Sequence, residues 1–396
     1  MYQFADSPRR PIGRVKLLGW TVPAARHWAL AVGLATGCSC WETPTAPSRQ
    51  ALWDVPIAHA GGMLGAPAIL AGALLAPIGP EGARMQALDA ATGTSRWTVP
   101  MLSLECAPFR VRARDGVAFI ASCGGATAYD AVSGQVRWTT RLPDHPNSFT
   151  PFAVDSVSLY LADRVTGRLS ALDVATGVRR WTWRDTATSP GPPVIAKATV
   201  AARGRVYLLG VRELDANRVV QGILIEFDGT TGTELRRFTT PDSVSDFRAG
   251  AFDGGHRIII ANRGRSGIDA FDVDAWRLAW RVRRNSSFAG PTSDPTLLDG
   301  VVYAGWQHAD AVAIDLETGR ELWSTGVQGG IYNVVACKNE VVAQHFALTW
   351  FDRRTGRVRA SNPFEGSSEF PTSDLVTDGE RVYAISDGRA YAYRCE

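Results

Sequence analysis

Residues 311 to 324, Ala-Val-Ala-Ile-Asp-Leu-Glu-Thr-Gly-Arg-Glu-Leu-Trp-Ser, form a phrase that the chain repeats in phase, and this repetition constrains the fold more than any other feature. The apolar run Ala311 to Ile314 is short and ends in turn formers, which predicts a buried strand. Asp315 is placed to accept bonds from the turn's amides, Gly319 to take the positive φ that closes a hairpin, and Trp323 to fill a gap between layers. The phrase recurs at Ala87-Leu88-Asp89 with Gly93 and Trp97, at Ala128-Tyr129-Asp130 with Gly134 and Trp138, and at Ala171-Leu172-Asp173 with Gly177 and Trp181. Weaker copies follow. Phe227-Asp228 keeps Gly232 without the Trp, Phe271-Asp272 keeps Trp280 without the glycine, and Phe351-Asp352 keeps Gly356 without the Trp. Ala390-Tyr391-Ala392-Tyr393-Arg394 is a truncated last copy.

From Asp to Asp the steps are 41, 43, 55, 44, 43 and 37 residues, with 42 more from Asp352 to Arg394. A period of about 40 residues built from strands alone is that of a four-stranded blade, and blades of this kind stand radially around an axis. The spacing Asp-x-x-[Ser/Thr]-Gly-x-x-x-Trp, as in Asp89 to Trp97, resembles the repeat of the PQQ-like β-propellers. The resemblance covers essentially all of the chain after the first fifty residues. It implies an all-β, eight-bladed propeller of four-stranded antiparallel blades. It also implies one of two trades, because that family contains both quinone-dependent dehydrogenases and non-catalytic scaffold lipoproteins.

Composition limits the alternatives. The repeats run on from about residue 52 in a chain of 396, which favours one closed unit over residues 52–396. A formal charge of +3 is small for this length and points to no nucleic-acid partner. Thirteen tryptophans are many, but Trp97, Trp138, Trp181, Trp280 and Trp323 share one register, as packing between blades requires. The six histidines are scattered without metal-ligand spacing, so no metal site is expected.

Residues 1–38 read as an export segment. Arg9, Arg10, Arg14, Lys16 and Arg26 precede the apolar run Trp28 to Ala35, which is shorter than the roughly 20 residues of a membrane span, and Thr36-Gly37-Cys38 follows. A small residue before Cys resembles the bacterial lipobox, which would make Cys38 the site of lipid attachment; a plain cleaved signal is the other reading. By the same resemblance Ser39 points to the outer membrane, on its periplasmic face. Residues 39–51 are polar and contain proline, as in a tether.

Leu52-Trp53-Asp54-Val55-Pro56 matches the end of the repeat phrase but has no strand before it, and the copy ending at Arg394 has the reverse deficit. The two ends are therefore expected to share the last blade, closed by the N-terminal strand. The first strand of a blade often carries or follows a proline (Pro67, Pro108, Pro151, Pro193, Pro295, Pro371), which places that strand at a sheet edge, on the axis. The step of 55 residues leaves room for extra residues around Arg212, Glu213, Asp215, Asn217 and Arg218, a candidate partner loop. The set Arg263, Arg265, Arg277, Arg281, Arg283 and Arg284 reads either as a face for an acidic partner or as a solvated edge.

Among the six cysteines, Cys106 and Cys123 flank the Asp115-Gly116 hairpin and are the first disulfide candidate; Cys40 is expected to reach Cys395, leaving Cys337 single. In the dehydrogenases of the family a disulfide between adjacent cysteines caps the quinone, and calcium is held by acidic and amide side chains near a catalytic Asp. No two cysteines are adjacent here. The chain looks instead like the BamB-type lipoproteins in length, blade count and N-terminal Cys. That likeness implies a non-catalytic scaffold for protein partners, the β-barrel assembly machinery among them, with no cofactor. A quinoprotein dehydrogenase and an exported propeller serving another ligand or sensor partner are the alternatives.

Overall fold

The computed structural model describes residues 46–57, 65–78, 83–101, 110–122, 124–144, 151–164, 166–185, 194–214, 220–241, 245–265, 267–284, 294–306, 310–327, 329–363, 373–386 and 388–396. Their strands make eight four-stranded sheets, antiparallel throughout. Blade 1 is Ala68–Leu70, Ala73–Ile78, Arg84–Asp89 and Ser95–Pro100, ordered in space as in sequence. Blades 2 to 7 repeat that order. Blade 8 takes Val376–Thr377, Arg381–Ser386 and Arg389–Arg394 from one end of the chain and Trp53–Pro56 from the other, with Trp53 opposite Ala392 and Pro56 opposite Arg389. The two ends close the ring as the repeat pattern predicts, and no sheet is left incomplete.

Position within a blade dictates composition. Second strands such as Ala73–Ile78 and Val117–Ser122 are buried along their whole length because neighbouring blades cover both faces. Fourth strands such as Arg179–Arg184 alternate exposed and part-buried residues, as the outer edge of a sheet should. First strands gather around the axis, where Ala66 of blade 1 and Arg110 of blade 2 pair in parallel. Pro67, Pro151 and Pro295 each precede a first strand by one residue, where the missing N–H faces no ladder; Pro108, Pro193 and Pro371 lie outside the described residues. Two-residue turns join first to second strands, with both φ positive at Asp115 and Gly116, Arg203 and Gly204, and Asp299 and Gly300. That geometry matches the right-handed twist of the hairpin.

The repeat phrase builds the joint between blades. Each turn aspartate accepts bonds from its own turn, as Asp89 Oδ1 does from the amides of Ala91 and Thr92 at 3.0 and 2.9 Å. The turn glycines Gly93, Gly134, Gly177, Gly232, Gly319 and Gly356 all have φ between 70 and 75°. A Cβ on any of them would lie 2.5 to 2.8 Å from ring carbons of the preceding blade's tryptophan. Each of those indoles, Trp53, Trp97, Trp138, Trp181, Trp280 and Trp323, donates Nε1–H to the carbonyl one residue after the next blade's turn aspartate, at 2.8 to 3.3 Å. Glycine is needed twice over, for the positive φ and for the ring lying flat upon it.

Two joints depart from this rule. Between blades 4 and 5 the partners are exchanged: Arg236 holds the tryptophan position and Trp276 the glycine position, at φ 53°. The Arg236 guanidinium lies 4.2 Å from the Trp276 ring centroid and donates to the Val273 carbonyl at 2.9 Å, the bond an indole makes elsewhere. Between blades 7 and 8 the place is held by Ala360. There Arg49 donates to the Arg394 carbonyl at 2.9 Å and pairs with the buried Glu340 at 2.6 Å. Arg49 also exchanges backbone bonds of 2.6 Å with the Asn362 side chain. Residues 46–51 of the tether expected over 39–51 are thus docked against blades 7 and 8, and residues 39–45 lie outside the described residues.

The cysteine scheme is corrected as well. Cys395 is bonded to Cys337, with a Cα–Cα distance of 6.1 Å, so it is not available to Cys40, and Cys337 is not single. The pairing crosses a blade joint, from the end of the first strand of blade 7 to the end of blade 8, where sequence spacing gives no cue. Cys38, Cys40, Cys106 and Cys123 lie outside the described residues.

Candidate functional site

The polar centre of the wheel lies on its axis. Arg110, Asp294 and Asp374 occupy the same place in blades 2, 6 and 8, at or just before the first strand. Arg110 contacts Asp294 directly and reaches Asp374 at 3.4 Å. Blades 2 and 6 stand opposite each other in a ring of eight, so the guanidinium bridges the channel. All three side chains remain 35 to 39% exposed, so channel water screens the pairs. Burial works to raise the Asp294 carboxyl, but Arg110 more than offsets it and holds the pKa below the usual range. Burial prevails at Asp374, which is raised, because Arg110 is shared first with Asp294. Sequence reading passed over this cluster; the available signal was three charged residues at equivalent places where blades 1 and 3 carry Ala66 and Pro151.

The insertion in blade 4 is mostly strand. Arg205–Glu213 and Val220–Asp228 are nine residues each, where second strands elsewhere have five or six, so the hairpin projects beyond its neighbours. Arg212 and Glu213 pair across it with Gln221 and Val220. Arg212 is not a free contact residue: with Arg237 it grips the carboxylate of Asp185, 2% exposed, at 3.2 and 3.1 Å. Leu214, at the described end, is 48% exposed. Asp215, Asn217 and Arg218 lie outside the described residues. In the arginine set of blade 5, Arg283 binds the buried Asp269 at 2.5 Å, and Arg284 binds Asp310 and Glu321 at 2.5 and 2.6 Å. Those two charges serve the protein's own acids.

The family model described as outer membrane protein assembly factor BamB matches residues 10–146, 81–237 and 220–396, which together span nearly the whole chain. The chain belongs to this family. The solved structures agree with this assignment at the level of the fold. BamB from Moraxella catarrhalis superposes with a TM-score of 0.65 at 16% identity, covering 88% of this chain and 100% of that one. The quinohemoprotein alcohol dehydrogenase ADHIIG from Pseudomonas putida HK5 gives 0.64 at 13% identity, covering 88% and 76%. At such identities the likeness is one of fold. A curated relative, the serine/threonine-protein kinase AfsK of Streptomyces griseus, is 38% identical over 123 residues, which are 29% of this chain and 15% of the kinase. The matched part is thus a small share of that relative's length.

Among the described residues, the side chains at the axis do not fit the quinone and calcium of the dehydrogenases. The carboxylates at the axis are committed to Arg110. The disulfide joins cysteines 58 positions apart at a blade joint, where a cofactor cap needs adjacent ones. Among the described residues no group of three or more His, Cys, Asp or Glu side chains is disposed to hold a metal.

Proposed function

We propose that this protein is a non-catalytic scaffold that binds other proteins in outer-membrane β-barrel assembly, held at the periplasmic face of the outer membrane by lipid on Cys38. The observation that carries the reading is the axial bridge from Arg110 to Asp294 and Asp374. It places an ion-paired guanidinium on the axis, where a propeller enzyme would seat a cofactor, and so favours the outer surface as the working surface. The projecting hairpin of blade 4, held through Arg212 by Asp185 and carrying the exposed Leu214, is the contact arm. A rigid arm loses little conformational freedom when a partner docks.

Crosslinking followed by capture from membranes is expected to recover barrel-assembly components with the intact chain and to lose them when residues 212–221 are replaced by a two-residue turn. Capture without any such component would favour a sensor or ligand-binding propeller, the reading that the local identity to a kinase supports. Dye reduction on addition of pyrroloquinoline quinone and calcium would overturn the non-catalytic assignment.

A further inference from the structure

On the turn face, at the seam of blades 7 and 8, a cavity of about 280 Å³ is lined by Lys338, Glu380, Arg381 and Arg394. In every other blade the first residue of the second strand faces the turn aspartate. Arg205 faces Asp228 in blade 4 and binds it at 2.6 Å, and Arg257 faces Asp272 in blade 5. Blade 8 has Arg394 at the aspartate position, so the same register sets Arg381 opposite Arg394. Like charges directly opposite in an antiparallel pair repel unless an anion lies between them.

The surroundings hold the cations in place and do not neutralise them all. Lys338 follows Cys337 and Arg394 precedes Cys395, so the disulfide fixes the backbone of one cation on each side of the cavity. The Cys395 amide donates to the Glu380 carbonyl at 2.9 Å, which closes the third side. Lys338 touches Glu380, but at 40 and 63% exposure this is a weak surface pair, easily re-partnered. Arg381 binds Asp378 at 3.0 Å. The Arg394 side chain has no hydrogen bond or ion pair among the described residues.

We infer that this seam is an oxyanion site that takes a phosphoryl group, as free phosphate, a phosphomonoester or an anionic lipid headgroup. Arg394 and Arg381 supply planar donors to two edges of the tetrahedron and Lys338 a point charge to the third. The site is independent of the scaffold reading, because it requires no protein partner.

The test uses the full chain carrying Cys38→Ser, so that no acyl chain contributes. Inorganic phosphate is titrated by calorimetry, and vesicles of phosphatidylglycerol or phosphatidylcholine are tested by co-sedimentation. Arg394→Asp restores the Arg-Asp register of blade 4 and is expected to raise the melting temperature while weakening phosphate binding by about tenfold or more. The raised melting temperature shows that the variant is folded. Loss of phosphatidylglycerol binding in the same variant identifies a headgroup as the source; unchanged vesicle binding with lost phosphate binding identifies a soluble phosphate. If neither phosphate nor phosphatidylglycerol binding depends on Arg394, the inference is wrong.

Discussion

Replacing Gly177 and Gly204 by alanine, one at a time, separates two costs that the repeat glycine carries together. Both residues have positive φ, 72 and 71°, so both alanines meet the same left-handed penalty of about 1–2 kcal/mol. At Gly204 nothing lies within 4 Å of an added Cβ, and that penalty is the whole expected loss. At Gly177 the Cβ would sit 2.6 Å from Trp138 ring carbons and from Thr140 Oγ1. The indole cannot withdraw freely, because its Nε1 is bonded to the Val174 carbonyl at 2.8 Å. Overpacking of this kind adds about 1–3 kcal/mol, for a total of about 2–5 kcal/mol. Urea unfolding of the oxidised chain, read as midpoint shifts at a common slope, measures both. The double change Trp138→Leu with Gly177→Ala should recover the ring's share of the excess and leave only the contact with Thr140 Oγ1. A difference between the two single alanines smaller than about 0.5 kcal/mol would refute the stacked-ring account of the joint.

Other consequences follow from the same geometry. Arg236→Trp should destabilise the joint of blades 4 and 5 by colliding with Trp276, whereas Arg236→Trp with Trp276→Gly should be less harmful than the sum of its parts by about 1 kcal/mol or more in a urea-unfolding cycle. Cys337→Ser with Cys395→Ser should lower stability by about 2–4 kcal/mol, seen as a fall in melting temperature that reducing agent reproduces in the parent and not in the variant. Acid should weaken the turns. The Arg96 guanidinium holds the Asp89 carboxyl down at about 2, and the Thr355 hydroxyl with Arg359 does the same for Asp352. A depressed carboxylate stabilises the fold above its unfolded pKa and stops doing so as pH falls through the folded value. Melting temperature should therefore drop between about pH 4 and pH 2, less steeply in Asp89→Asn.

What was legible in the chain was whatever repeats. Asp, Gly and Trp at fixed offsets encode a local turn and one contact to the next blade, and both survive translation along the sequence. The closing strand was legible because Leu52 to Pro56 and Ala390 to Arg394 each lack what the other has. The remainder depends on residues that meet only once the ring exists. Arg110 finds Asp294 across 184 positions, and Arg49 finds Glu340 across 291. Cys337 reaches Cys395 over a joint, and Arg236 with Trp276 looks like two failures of the pattern until they are seen touching. In blade 4 the extra length was legible but its form was not: a lengthened hairpin and a lengthened loop have the same residue count, and only pairing places Arg212 and Glu213 in strands.

The pairing of Trp53–Pro56 with Arg389–Arg394 also sets an order of events. A chain leaving the ribosome or a translocation pore presents this fastening strand before any blade and must hold it unpartnered until Arg389–Arg394 arrive. In that interval blade 1 lacks the Trp53 ring that covers Gly93, and the nascent arc carries two raw edges able to join another molecule. Closure of the wheel thus waits on Arg389–Arg394, so a chain cut short before Arg389 loses its first blade's cover as well as its last blade's rim.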